Sequence, residues 1–493
     1  MPQIQFPIFS AFQKYKDNTA LIASHQKLSF HELDRWSEAL SNQIHHETQS
    51  TEQCIGILAP SSLEYAAALC AVFKKGMIAV PLQPLHPIAE LKYIIENSNL
   101  NLLLVHQDCL DQAKELTRDT KIQLLIIERA EPTHTALTYL RPDEGQAALM
   151  LYTSGTTSRP KGVIITFGNL EFQMRTLCKE WGWQSTDRAI NTLPLHHLHG
   201  VLNLLLCSLA SGACCELYPK FDAQQIWERF SSGEITVFMS VPTIYSKLAQ
   251  HWDQQPPAVQ KKWSEQAARL RLMVSGSAAL PLPLFEKWKT ITTHSLLERY
   301  GMTEIGMAIS NPYQGDRRPK SVGKPLPGVE VRLVADEIQI KGPNVFREYW
   351  KRPDVTESSF TLDGWFMTGD QARVDSDGYY YILGRTSQDI IKSGGYKISA
   401  LEIESVLLER DDLLEVAILG IPDQEWGEKV AAVCVWKDQK AKIHHESTQY
   451  LEVKEWLKTR IAHYKVPTRW NSQNELPKNA MGKVIKPNLR HFF

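Results

Sequence analysis

The chain has 493 residues, 43% hydrophobic and 22% charged, and 54 Lys and Arg against 55 Asp and Glu leave a net charge of −1. That length is more than one core usually serves and predicts two or more domains. The balanced charge argues against a nucleic-acid partner and gives no field toward an anionic membrane. Eight cysteines contain no C-x-x-C pair, and Cys214 and Cys215 are adjacent, which speaks against a zinc ribbon or redox motif and fits a reducing compartment.

Residues 1–18 have neither a cationic start with an apolar core nor an arginine-rich presequence pattern, so we expect a cytoplasmic protein. The longest apolar stretch, 201–215, is too short to span a bilayer and reads as a buried helix. Ser29 with Glu32 makes a capping box that opens a helix to about residue 44. Strands are predicted at 55–58, 79–82, 102–105 and 124–127, with helices at 62–73 and 89–98. Apolar strands alternating with helices indicate parallel α/β layers.

An apolar strand at 147–151 leads into Thr153-Ser154-Gly155-Thr156-Thr157-Ser158-Arg159-Pro160-Lys161-Gly162. Backbone N–H groups freed by glycine, hydroxyls and fixed positive charge suit a polyphosphate. The P-loop of NTPases does not fit: Pro160 precedes Lys161, no hydroxyl follows it, and 163–166 reads as a strand. Strand–loop–strand predicts a flap over phosphates. A helix at 169–181 follows. His196-His197-Leu198-His199-Gly200 raises a metal reading, but no nearby Cys or acid completes a site.

Residues 237–241 read as a strand, and 270–274 as another that enters the small-residue turn Ser275-Gly276-Ser277-Ala278-Ala279. Arg271 on that strand is read either as structural or as a fork for a substrate carboxylate. Glu298-Arg299-Tyr300-Gly301-Met302-Thr303-Glu304 has legible chemistry: a ring to cover adenine, a hydroxyl for phosphate and a carboxylate for Mg²⁺. Met307 follows at the expected pocket floor. Beyond 390 come a second capping box at Ser399 and Glu402, strands at 416–419 and 430–435, and a helix at 450–462, the pattern of a small α+β lid.

The flap sequence ending Pro-Lys-Gly, the Tyr-Gly-Met-Thr-Glu segment, Gly364 to Asp370, Gly384-Arg385 and Pro477 to Lys483 resemble, in order, the motifs of the adenylate-forming superfamily of acyl-CoA synthetases, adenylation domains and luciferases. One departure is Ser158, where the family usually has glycine; if positive φ is needed there, serine costs ~1 kcal/mol. The resemblance implies a large α/β domain, 1–389, of layered sheets with a small β-barrel-like part, and a mobile lid, 390–493. It implies ATP bound by Thr153, Ser154, Gly155, Thr156, Thr157, Ser158, Lys161, Ser277, Ala278, Ala279, Tyr300, Gly301, Met302 and Thr303. Asp370 and Arg385 would share the ribose, Glu304 would hold Mg²⁺, and Lys483 would be the catalytic lysine, with Lys161, Thr303 and Glu304 assisting. Asp389 would be the hinge. Ser393, Gly394, Gly395 and Lys397 would meet coenzyme A after the lid turns.

The implied reaction is attack of a carboxylate on ATP to give an acyl-adenylate and pyrophosphate, then transfer to CoA with release of AMP. Segments 193–200, 271–281, 297–308 and 346–350 are similar to malonyl-CoA synthetases. That branch implies malonate or methylmalonate, with Arg271 expected on the second carboxylate, His196 or His197 assisting, and His199 gating the thiol passage. Another short, medium-chain or aromatic acid, or loading of a carrier protein, is the alternative. The partners expected are a small carboxylic acid, ATP and CoA, with no nucleic acid and no membrane span, in a monomer or small homo-oligomer.

Overall fold

A computed structural model describes residues 4–44, 53–129, 139, 141–153, 160–385, 389–393, 396–437, 446–478 and 484–493. Two large sheets carry most of the chain. In the first, nine-stranded, Thr19–Ala23, Cys214–Leu217, Arg188–Asn191, Val237–Ser240, Leu272–Ser275 and Leu297–Met302 run parallel. Antiparallel strands close both edges, Gln26–Ser29 on one side and Gly306–Ser310 with Lys324–Pro325 on the other. In the second, seven-stranded, Gln123–Ile126, Leu102–Val105, Cys54–Leu58, Ile78–Leu82 and Ala147–Thr153 are parallel. Lys161–Thr166 then turns back antiparallel to Ala147–Thr153, and Glu348–Tyr349 pairs outside it.

Local chemistry sets the helices between these layers. Ser29 and Glu32 exchange the two bonds of the predicted capping box, 2.8 and 3.1 Å, and open the helix Phe30–Gln43. Thr166 and Asn169 repeat the device at Phe167–Glu180. The helix Leu63–Lys74 has every residue but Glu64 buried. Such a helix belongs to a core shared by layers, and its Leu69 and Phe73 cluster with Ile55 and Leu149 of one sheet and Ala189 and Val274 of the other.

One charged side chain is sealed into that core. Lys74 Nζ lies 2.7 Å from Asp34 Oδ1 and 2.9 Å from Glu38 Oε2, with side chains 2–5% exposed. Tyr139 donates its hydroxyl to the other Asp34 oxygen at 2.6 Å.

The stretch 201–215 differs from the single buried helix expected. His199–Leu206 is a π-helix, Cys207–Ser211 continues as an α-helix, and Gly212 in the left-handed region ends it. Cys214 and Cys215 then enter a central strand. An unbroken apolar run cannot distinguish helix from buried strand; only Gly212, at φ 80°, punctuates it. All eight cysteines are free thiols. Among the described residues no helix is long and apolar enough to cross a membrane.

The smaller β part is a four-stranded antiparallel sheet, Glu330–Val334, Glu337–Lys341, Phe366–Val374 and Tyr380–Arg385. The last sheet combines Ile390–Ser393, Tyr396–Ser399, Leu413–Asp423, Gly427–Trp436 and Arg469–Ser472 over a core of its own that includes Ile403, Leu407 and Val453. Its helix Ala400–Leu407 starts at Ser399, whose hydroxyl accepts the Glu402 N–H at 3.2 Å. The Glu402 carboxylate pairs with Lys465 at 2.7 Å, so a nearby cation takes the acid that would have closed the second capping box.

Lys74→Met leaves two buried carboxylates without their cation. It is expected to cost roughly 3–5 kcal/mol of stability, read as a lowered midpoint in urea unfolding, whereas Lys75→Met beside it should change the midpoint little.

Candidate active site

In open α/β sheets a ligand usually lies beyond the carboxyl ends of the parallel strands, and the residues singled out in the sequence fall at or after such ends in the strands Leu272–Ser275 and Ala147–Thr153. Thr153 and Lys161 are register partners at the loop end of the antiparallel pair Ala147–Thr153 and Lys161–Thr166, and the residues between them expected to bind phosphate, including Ser154, Gly155, Thr156, Thr157 and Ser158, lie outside the described residues. Lys161 Nζ stands 4.4 Å from the centroid of the Tyr349 ring. The hydroxyl of that tyrosine donates to Glu304 Oε1 at 2.9 Å. One side chain thus spaces the lysine from the carboxylate. Burial pushes the Glu304 carboxyl up from its usual range, opposed by the Tyr349 hydrogen bond and by Arg385 and Lys161. Thr303 is half-buried beside it.

The residues expected to hold the nucleoside come from three strands, Leu297–Met302, Phe366–Val374 and Tyr380–Arg385. Asp370 accepts the Tyr300 hydroxyl at 2.7 Å through one oxygen and Arg385 Nε at 2.9 Å through the other. Asp370 and Arg385 are register partners on neighbouring antiparallel strands, which fixes their approach. Gly301 and Met302 continue the Tyr300 strand and are half-buried, while Ser277, Ala278 and Ala279 form an exposed turn after Leu272–Ser275. Ser277 adopts φ 67°, unusual for a side-chain-bearing residue. Its hydroxyl meets His199 Nδ1 at 3.2 Å and Arg299 Nη2 at 3.4 Å.

Arg299 is the residue that the sequence reasoning passed over. Successive strand residues point to opposite faces: Tyr300 reaches Asp370, whereas Arg299 is 4% exposed and packs against Gly276. A Cβ on Gly276 would sit 2.4 Å from the guanidinium carbon, so glycine is required there for room. Burial lowers the Arg299 pKa to about 10, which leaves the group charged at neutral pH. Its Nε finds no hydrogen-bond partner among the described residues. A buried cation with an unspent donor is costly unless an anion arrives. The available signal was a cation alternating with apolar Leu297 on a buried strand, hidden inside a segment read as nucleotide-binding.

Arg271 requires a correction. It precedes the strand Leu272–Ser275, at the edge away from Ser277, with four residues of strand, about 13 Å, between them. Its Nε and Nη2 bond both Asp187 oxygens at 2.7 and 2.5 Å, and Nη1 bonds the Trp181 carbonyl at 3.0 Å. With its fork filled on the far side of the sheet, Arg271 is a structural clamp, and the substrate-carboxylate role assigned to it is withdrawn.

His196, His197 and His199 lie on the segment that follows the strand Arg188–Asn191. Burial depresses the His196 pKa to about 2 and that of His197 to about 4, and it also lowers His199, with Arg299 adding to the effect. All three are therefore neutral at physiological pH. The His196 ring contacts His197 at 4.1 Å and His86 at 5.0 Å between centroids. Among the described residues no group of three or more His, Cys, Asp or Glu is disposed to hold a metal ion. Met307 is buried, its backbone gripped by the Gln173 amide at 2.8 and 3.0 Å.

In the last sheet, Ser393 is buried at the end of a strand, while Gly394, Gly395, the Lys397 side chain and Lys483 lie outside the described residues. Asp389 is buried at the junction, where its carboxylate accepts the Arg385 N–H at 3.1 Å and the Lys486 ammonium at 2.6 Å.

Residues 8–350 match the family model of the AMP-binding enzyme, and 402–483 match that of the AMP-binding enzyme C-terminal domain. The chain is 41% identical to the mitochondrial malonate–CoA ligase ACSF3 of Homo sapiens, an alignment covering 99% of this chain and 92% of that protein. The fold superposes on ATP-bound MatB from Rhodopseudomonas palustris with a TM-score of 0.89 at 31% identity, covering 99% and 98% of the two chains. A malonyl-CoA ligase solved as a ternary product complex with methylmalonyl-CoA and AMP gives 0.70 at 33% identity, with 96% and 100% covered. With one family model matching residues 8–350 and the other 402–483, and a relative 41% identical along nearly the whole chain, the chain belongs to the AMP-binding enzyme family.

Proposed function

We propose that the protein is an ATP-dependent malonate–CoA ligase: malonate attacks the α-phosphate of ATP to give malonyl-adenylate and pyrophosphate, and the CoA thiol then displaces AMP. The observation that carries the choice of acid is Arg299, a buried, charged guanidinium with a free donor beside the turn Ser277–Ala279. A dicarboxylate has one carboxylate to react and one to place, and a planar fork suits the second. A fatty-acid tunnel has no use for such a cation. The malonate ligases among its relatives point the same way.

In the first step an anion must approach a polyanion. Lys161 and the hairpin tip would neutralise phosphate charge, Tyr300, Asp370 and Arg385 would seat the nucleoside, and Lys483 would come from the C-terminal segment. The Thr303 hydroxyl and Glu304 carboxylate are hard oxygen donors beside Lys161, a set that suits Mg²⁺ arriving with the phosphates. That ion supplies further neutralisation of phosphate charge when bound. The neutral histidines near Arg299 leave it as the cation that faces the acid, and they keep a hydrolysable anhydride in apolar, water-poor surroundings.

We place the division between domains at Asp389, with 390–493 as a lid that turns after adenylation and brings Ser393, Gly394, Gly395 and Lys397 toward CoA. Eight free thiols suit a reducing compartment, and the cytoplasm is the one we propose, although named relatives are mitochondrial.

Arg299→Gln is expected to lower kcat/KM for malonate roughly 10- to 100-fold, the effect of one lost charge-assisted contact, with butyrate changed little. Arg271→Ala should spare the malonate-to-butyrate ratio and instead lower stability by about 3 kcal/mol, since it strands Asp187. Steady-state kinetics with both acids and urea unfolding check the pair; the reverse pattern would return the carboxylate role to Arg271.

Lys483→Ala is expected to abolish malonate-dependent exchange of labelled pyrophosphate into ATP while sparing thioester formation from supplied acyl-adenylate. Equal loss in both steps would remove its assigned role.

A further inference from the structure

A buried three-membered ion cluster ties the C-terminal segment to the junction between the large and small parts. Lys486 Nζ lies 2.6 Å from Asp389 Oδ1 and 2.8 Å from Glu404 Oε1, and the three side chains are only 10–15% exposed. Each partner is also held from another direction. Glu404 Oε1 accepts the Ile418 N–H at 2.7 Å, which anchors the cluster to the long hairpin of the last sheet. Asp389 Oδ2 accepts the Arg385 N–H at 3.1 Å, and the Asp389 N–H donates to the Arg385 carbonyl at 2.7 Å, which anchors it to the strand carrying the nucleoside-side arginine. The Asp389 carbonyl accepts the Ala400 N–H at 2.7 Å, so the helix Ala400–Leu407 begins from the same residue.

We infer that Lys486 is a positioning residue for adenylation: through Asp389 and Glu404 it fixes the segment bearing Lys483 to the junction beside Arg385. The inference rests on the function proposed above, with Lys483 acting in adenylation and Asp389 as pivot. Lys483 precedes Lys486 by three residues, a reach of at most about 10 Å. An ammonium clamped three residues further along therefore shortens the free tether between the junction and the segment that carries Lys483. Burial alone would disfavour the Lys486 charge, but the two carboxylates outweigh it and raise its pKa, so the clamp stays charged through the physiological range. Without the lysine, two carboxylates are left close together in a buried site, and the Asp389 carboxylate loses its cation.

The test compares the two half-reactions in the full-length protein, using Lys486→Met and Lys486→Arg. Malonate-dependent pyrophosphate–ATP exchange reads the first step, and CoA-dependent consumption of supplied acyl-adenylate reads the second. Lys486→Met is expected to lower the exchange rate at least tenfold at saturating substrates, with KM for ATP changed less than threefold and the thioester step within threefold of the parent. Lys486→Arg should recover most of the exchange. Where the single variant folds poorly, Lys486→Met combined with Glu404→Gln, which removes the second uncompensated charge, carries the same comparison. Equal losses in both steps, unchanged exchange, or no recovery with arginine overturns the assignment. A parent enzyme that forms no acyl-adenylate from any acid overturns the proposed function itself, an outcome distinct from any pattern among the variants.

Discussion

A guanidinium lying against a glycine sets how closely the strand Leu297–Met302 and the turn after Leu272–Ser275 can pack. Arg299 can occupy its place because Gly276 has no Cβ to displace it. Its charge persists although burial lowers its affinity for a proton. The strand that carries it also sends Tyr300 to Asp370, so the cation proposed for the acid and the ring proposed for the nucleoside are set by one piece of backbone with one register. A shift of that strand by one residue would exchange their faces and lose both functions together. The precision required of an acid and a nucleotide that must meet in line is thus supplied by a ladder of backbone hydrogen bonds rather than by loops.

The phosphate side follows a similar economy. Tyr349 belongs to a two-residue edge strand that pairs with the returning arm of the hairpin, and its ring and hydroxyl touch Lys161 and Glu304 respectively. An aromatic spacer keeps the cation and the buried carboxylate from collapsing into an ion pair, which leaves both available to groups that bring their own charge. Asp370 performs a related service on the nucleoside side, since Tyr300 and Arg385 each take one of its oxygens and hold the carboxylate in a single orientation.

Much of this was legible in the residues because the chemistry sits in contiguous segments. The capping boxes at Ser29 and the returning strand after the hydroxyl-rich loop are local patterns, and local patterns survive without knowledge of the fold. The adjacency of Asp370 and Arg385 depends on strand register, but the short turn between their strands almost dictates it. Arg271 and Arg299 failed for the opposite reason. Both are single cations on apolar strands, and only the direction of the strand decides which stands at the carboxyl edge of the sheet and which at the amino edge beside Asp187. The cluster of Lys486, Asp389 and Glu404 was equally invisible, because its members are separated by as many as 97 positions and nothing in the local sequence pairs them.

The wide turn at His199–Leu206 has an evolutionary consequence. A π-helix holds one more residue per turn's hydrogen-bonded ring than an α-helix, so removing a single residue from it restores ordinary winding. Because each α-helical residue advances the chain by about 100°, such a deletion would swing the His199 ring away from Ser277 while leaving the rest of the apolar wall in place. The wall around Ser277 can therefore be reshaped by a change in length at one site, with no substitution in the strands that carry Tyr300, Asp370 and Arg385.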